Sequence, residues 1–150
     1  MPEKRIVEKA KEDLREGKSP STAAGEFVHE EMDHIRKGKH GARSTKQAIA
    51  IGLSEARRAG VPLKPPKKGQ TSRRTRQSAK RAYEVGQGKR KPKSPSRRRS
   101  RATSRALRRE PRRAASRKAL SGQARRAAAR RGSRARSAAA RRGARTRSRR

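Results

Sequence analysis

Positive charge in this chain is piled on one side of a boundary near residue 60, and that segregation limits its folding more than any motif does. Residues 61–150 hold 35 Lys or Arg against only Glu84 and Glu110, a net of +33. Residues 1–60 hold 13 Lys or Arg and 10 Asp or Glu, a net of +3. Large apolar residues follow the opposite trend. Eleven lie in the first 60 positions and six (Val61, Leu63, Tyr83, Val85, Leu107 and Leu120) in the remaining 90. So few apolar side chains do not offset the entropy of ordering a like-charged chain. The expected architecture is therefore mostly α where folded. It has a small helical head (a helix hairpin, with a third helix before it) and a long disordered basic tail. The spans are an N-terminal helix over 1–18, a helix-loop-helix over 19–60, a Pro-rich linker over 61–68 and the tail over 69–150. Any helix in the tail is expected to be isolated and exposed.

In the head, Ile6, Ala10 and Leu14 recur every four residues with Val7 beside them, and Gly17 follows, which predicts a helix from about Pro2 to Glu16. Ser19-Pro20 is a cap followed by a proline at the first helical position. Ala24, Val28, Met32 and Ile35 then form an apolar stripe with Phe27 at its margin, closed by Lys37-Gly38. Ser44 with Gln47 is a capping-box pattern opening a third helix. Its face is Ile49, Leu53 and Ala56, widened by Ala48, and Arg57, Arg58 and Gly60 close it. The expected core places Val28, Met32, Ile35, Ile49 and Leu53 in mutual contact. Such a core is thin, and a helical pair of this size is firmed by a partner or by oligomerisation of the head.

The connector from Gly38 to Arg43 exceeds the turn of about 3–4 residues found in DNA-binding helix-turn-helix units, which favours an ordinary antiparallel pair. It is strongly basic: Arg36, Lys37, Lys39, Arg43 and Lys46 surround His40 and two glycines just before a helix N-terminus. Free backbone N–H groups and the helix dipole there predict a phosphate site. The cluster His29-Glu30-Glu31-Met32-Asp33-His34 pairs His29 with Asp33 and Glu30 with His34 at helical spacing. Its two histidines are five apart rather than four, unlike a zincin, and it reads as a polar helix face.

The run Gly25-Glu26-Phe27-Val28 through Ser44-Thr45-Lys46-Gln47-Ala48-Ile49-Ala50-Ile51-Gly52-Leu53-Ser54-Glu55-Ala56-Arg57 resembles a family of small, basic, mostly uncharacterised bacterial proteins. That family shares a short GEF helix, a Gly/Lys loop and a KQAIAIALSEA helix, and its members are sometimes labelled DNA-binding or plasmid-stabilisation proteins. The resemblance covers about residues 20–60. It implies a helical core and no catalytic residue. Gly52 stands where that pattern has alanine, which should weaken the helix slightly without changing its packing.

The tail carries Ser94-Pro95-Ser96-Arg97 and the unbroken Arg97-Arg98-Arg99, with Ser-Arg steps at Ser96, Ser100, Ser104, Ser116 and Ser133. Residues 127–137 (AAARRGSRARS) and 138–148 (AAARRGARTRS) repeat each other at nine of eleven positions. Eleven residues is close to three helical turns, so a helix would present the same face twice. This Ala/Arg/Ser-rich composition resembles histone H1-like tails of bacterial nucleoid proteins. The expected function is a non-enzymatic, nucleoid-associated, largely sequence-independent DNA-binding protein that compacts or coats by phosphate neutralisation. The alternative is a structural RNA-binding or ribosome-associated protein with a basic extension. Candidate contacts are Lys37, Lys39, Arg43, Lys46, Arg57 and Arg58 in the head. In the tail they are Arg97, Arg98, Arg99, Arg130, Arg131, Arg134, Arg141, Arg142 and Arg145. The tail is expected to supply affinity and the head placement. Duplex DNA is favoured over RNA because single-strand binders stack bases on aromatics, and only Phe27 and Tyr83 are available. No nucleophile–base pair, metal set or phosphate-cradling motif is present, so no enzymatic activity, cofactor, metal or small-molecule substrate is expected. With no cysteine, no apolar run near the roughly 20 residues of a membrane span and no signal-peptide core, the expected location is cytoplasmic, with no membrane partner.

Overall fold

Serines punctuate the whole chain. A computed structural model describes residues 2–148. The helices are α1 (Lys4–Arg15), α2 (Pro20–Arg36), α3 (Thr45–Arg58), α4 (Arg73–Gly86), α5 (Arg97–Arg109), a 3₁₀ turn (Arg112–Ala115), α6 (Arg117–Arg130) and α7 (Gly132–Ser148). Ser19, Ser44, Ser72, Ser96 and Ser116 each accept a hydrogen bond from the backbone N–H three residues on, at the starts of α2 to α6. Each such cap satisfies one of the donors a helix leaves open. Ser72→Ala is expected to destabilise by about 1 kcal/mol, seen as a lower urea midpoint.

The expectation of a disordered tail is overturned: helix runs through most of residues 73–148. Large apolar side chains were the wrong quantity to count, because this part of the chain packs through small ones. Ala79, Ala82, Ala114 and Ala115 are all buried. Alanine and arginine are also among the best helix formers. Nor are all the tail helices isolated, since α4 packs on α3 and the 3₁₀ turn packs on α2 and α3.

The chain divides into two compact units at Ala115/Ser116. In the first, α2 and α3 form the expected hairpin and α1 lies along α2. Its core joins Ala10, Ala23, Ala24, Phe27, Ala56 and Val61, with Ile6, Val7, Leu14, Leu53 and Leu63 packed around them. Phe27 is fully buried, at the centre rather than the margin, while Val28 and Ile49 are only half-buried. A stripe followed in steps of four drifts around a helix by about 40° per step, so Ala24, Val28 and Met32 trace a spiral. The buried line is Ala24, Phe27, Glu31 and Ile35.

Gly52 also does more than loosen a helix. A Cβ there would lie 2.8 Å from Val28 Cα and 2.9 Å from Phe27 O, so α2 and α3 cross where α3 has no side chain. A second close approach occurs at Gly86 of α4, where a Cβ would run into the Arg57 carbonyl. The span expected as a linker begins pinned, with Val61 buried and Leu63 packed on the core.

In the second unit α6 leads into α7 through Arg131, and none of their described residues is buried. The two copies of the eleven-residue repeat do not share one structure. Gly132 takes φ +71° and separates α6 from α7, whereas Gly143 lies inside α7. The first copy straddles a break and the second is continuous helix, so no common face is presented.

Candidate nucleic-acid interface

The basic connector, residues 37–44, is held by the chain's own later segment. Gly41 N–H donates to Leu107 O at 2.9 Å and Ala42 N–H to Pro111 O at 3.3 Å. The Thr45 hydroxyl donates to Ala114 O at 2.7 Å, and Arg36 Nε to Ala115 O at 3.1 Å. A Cβ at Gly41 would run into the Glu110 carbonyl, so this docking requires glycine. Arg43 N–H is taken by Gln47 Oε1 at 2.8 Å, and Gln47 N–H by Ser44 Oγ at 3.2 Å. The carbonyls of Leu107 and Pro111 and two side-chain oxygens therefore take up the backbone donors of Gly41, Ala42, Arg43 and Gln47, which narrows the expected phosphate site to the first turn of α3.

What the connector offers instead is side chains. Lys37, Lys39, Arg43 and Lys46 are all exposed. Lys39 reaches Glu3 at 3.8 Å, a surface pair of small energy. Between the connector and the end of α5 lies a cleft of about 670 Å³ lined by Lys39, His40, Arg108, Glu110 and Arg112. The sequence reading missed Arg108 and Arg112. Each belongs to an Arg-Arg pair like several others in the tail (Arg108-Arg109 and Arg112-Arg113), and only the docking of residues 107–115 brings them beside Lys39.

Arg57 is not an interface residue. It is 7% exposed, and its Nε donates to Leu63 O at 3.1 Å and its Nη1 to Leu53 O at 3.4 Å. Burial holds its guanidinium below the usual arginine range. It ties the last turns of α3 to the returning segment at Leu63. Its neighbour Arg58 is exposed. Arg57→Ala is expected to destabilise the first unit by about 2–3 kcal/mol, the worth of charge-assisted hydrogen bonds to buried carbonyls. The salt dependence of any polyanion binding should stay unchanged, and Arg58→Ala should show the reverse pattern. Thermal melts and binding isotherms of the two variants check this.

The densest basic element is α5. Its 13 residues include seven arginines, none is buried, and it contains no acid. Arg97, Arg98 and Arg99 form its first turn, against the positive end of the helix dipole. In the second unit, Arg130, Arg131, Arg134, Arg141, Arg142 and Arg145 are all exposed, and no Asp or Glu occurs between residues 111 and 150. Lys80 and Arg90 both pair with Glu84. Both aromatic rings are withdrawn, Phe27 fully buried and Tyr83 half-buried on α4.

These features define an all-α protein whose later helices are studded with arginine and nearly free of acid. Residues 17–69 match a protein family described as a family of unknown function, DUF6496. That stretch takes in α2, α3 and the return through Val61 and stops short of α4 and everything after it. No curated protein and no solved structure matches. No helix among the described residues is long and apolar enough to cross a membrane.

Proposed function

We propose that this is a non-enzymatic protein that binds duplex DNA by phosphate neutralisation, with little sequence readout. The observation that carries the reading is α5: a helix of 13 residues with seven arginines, no buried residue and no acidic neighbour along its length. A helix of that size is about 20 Å long, enough to lie along several phosphates. At about 100° per residue all its arginines but Arg99 fall on one face about 120° wide, a strip suited to lying along a run of phosphates.

Helix electrostatics support the same reading. α4, α5 and α6 all begin with basic residues and have no acid in their first turn. Each pairing of cation and dipole opposes the helix by roughly 0.3–1 kcal/mol, and a phosphate at the N-terminus reverses the sign. Bound DNA would then stabilise the helices that bind it. The absence of an exposed ring suits a duplex, because single-strand binders gain much of their affinity by stacking bases on aromatics.

Competition tests the proposal. Full-length protein bound to a labelled duplex is challenged with duplexes of unrelated sequence and with structured RNA of equal length. Unrelated duplexes are expected to compete equally, and RNA no better than DNA. RNA winning by tenfold or more would replace this reading with the RNA-binding one.

A further inference from the structure

Two adjacent carboxylates, Glu30 and Glu31, are buried beside the connector that carries Lys37 and Lys39. Glu30, Glu31 and His34 stand on α2, spaced so that His34 lies one turn beyond both acids on the same face. His40 enters from the connector. The Glu31 side chain is 3% exposed, that of His34 17% and that of His40 21%. One ligand atom from each of Glu31, His34 and His40 lies within 4.8 Å of the other two.

The separations are too long for direct hydrogen bonds. His40 Nε2 stands 3.5 Å from Glu31 Oε2, and His34 Nε2 stands 3.8 Å from Glu30 Oε1 and 4.0 Å from Glu3 Oε1. A nitrogen-to-oxygen hydrogen bond spans about 2.7–3.2 Å. Accordingly Glu31 Oε1, Glu30 Oε2 and His34 Nε2 are buried with no hydrogen-bond partner, an arrangement that folded proteins rarely tolerate. The 3.5 Å between His40 and Glu31 is the gap two ligands sharing one ion need, since bonds of about 2.0–2.2 Å at tetrahedral angles put ligand atoms roughly 3.3–3.6 Å apart. His40 is also set for the role. Its Nδ1 lies 3.2 Å from Gly41 O, and an Nδ1–H donated there leaves the Nε2 lone pair facing Glu31.

We propose that Glu31, His34 and His40 form a binding site for a divalent transition-metal ion, zinc by the chemistry of the donors, that pins the basic connector to α2. Two imidazoles and one carboxylate suit zinc, whereas calcium and magnesium prefer all-oxygen sets. Glu30 and Glu3 form a second three-ligand set around the same His34, so a further carboxylate oxygen stands near to complete the coordination. Burial holds the Glu31 carboxyl above the usual range; His40 draws it back, and the carboxylates of Glu55 and Glu30 add to the rise. A doubly charged cation relieves this crowding of buried acids. His29 lies outside the site, with its side chain 72% exposed.

Full-length protein, stripped with a chelator, is titrated with Co²⁺ and then Zn²⁺ in the absence of nucleic acid. One saturable equivalent of Co²⁺ with the visible absorption of a tetrahedral ion is expected, bleached by one equivalent of Zn²⁺, together with a higher thermal midpoint. His40→Gln and Glu31→Gln should each bind Zn²⁺ at least tenfold more weakly with unchanged circular dichroism, and His29→Gln should bind as the natural chain does. Zn²⁺ affinity equal to that of the natural chain in a folded His40→Gln or Glu31→Gln variant overturns the site. If both variants fail to fold, the natural chain alone decides, and no saturation at one equivalent of Co²⁺ overturns it.

Discussion

Binding of full-length protein to duplex DNA is expected to weaken by roughly 10³–10⁵-fold between 50 and 200 mM salt. That is the loss for a protein making about 6–10 phosphate contacts, each releasing a condensed counterion. α5 alone supplies seven exposed arginines, and the connector adds Lys37, Lys39, Arg43 and Lys46. Changing Arg97, Arg98 and Arg99 together to Gln should flatten the slope of log K against log salt by up to about 2.7, at roughly 0.9 per contact. It should leave the helix in place, because Gln is a good helix former and the Ser96 cap is untouched. Fluorescence anisotropy across a salt series measures both slopes. A slope shallower than about −3 for the natural chain would mean that few of these cations meet phosphate, and phosphate neutralisation would fail as the source of affinity.

The head was legible in the sequence and the tail was not, for one physical reason. In the head, caps, stops and apolar stripes agreed, so helices emerged near Pro20–Arg36 and Thr45–Arg58. The same punctuation runs on beyond residue 60. Ser72, Ser96 and Ser116 begin α4, α5 and α6, and Gly88 and Gly132 with positive φ follow α4 and α6. Ser96 and Ser116 also open Ser-Arg steps, and the charge density around them masks their capping role. Net charge reports how strongly a chain repels itself, but a helix is decided residue by residue, and Ala and Arg both favour it. Burial of small residues such as Ala79 and Ala115 leaves no hydrophobic stripe for a reader to see.

Site residues divided along the same line. Exposed cations in runs, such as Arg97 to Arg99, were found by composition. Arg57 was misassigned because Arg57 and Arg58 look alike in sequence, whereas one side chain folds back on Leu53 and Leu63 and the other meets solvent. Glu31 was hidden by the choice of stripe: once Phe27 is placed at the centre of the buried line, Glu31 follows four residues later on the same line. His40 carried no signal, because its distance from Glu31 depends on how the connector folds back.

Phe27→Ala should lower the thermal midpoint by roughly 10–20 °C, the largest stability effect expected from a single substitution in the first unit. Phe27 is the largest side chain fully buried there, and much of its surroundings is alanine: Ala10, Ala23, Ala24 and Ala56. Truncation removes an aromatic ring whose neighbours are too short to move into the space, and such changes cost about 3–5 kcal/mol. Gly52→Ala tests the same packing from the other side. In an isolated helix that change stabilises by about 1 kcal/mol. Here the added methyl would sit 2.8 Å from Val28 Cα and 2.9 Å from Phe27 O, and backbone yields far less readily than a side-chain tip. α2 and α3 must separate to admit it, which loosens the contacts around Phe27, and overpacking of this kind costs about 1–3 kcal/mol. The net expectation is a lower midpoint in differential scanning calorimetry. The two losses should add to less than their sum in the double variant, because both act on one crossing. A raised midpoint for Gly52→Ala would show that helix propensity governs at this position and that the two helices do not depend on a bare crossing point.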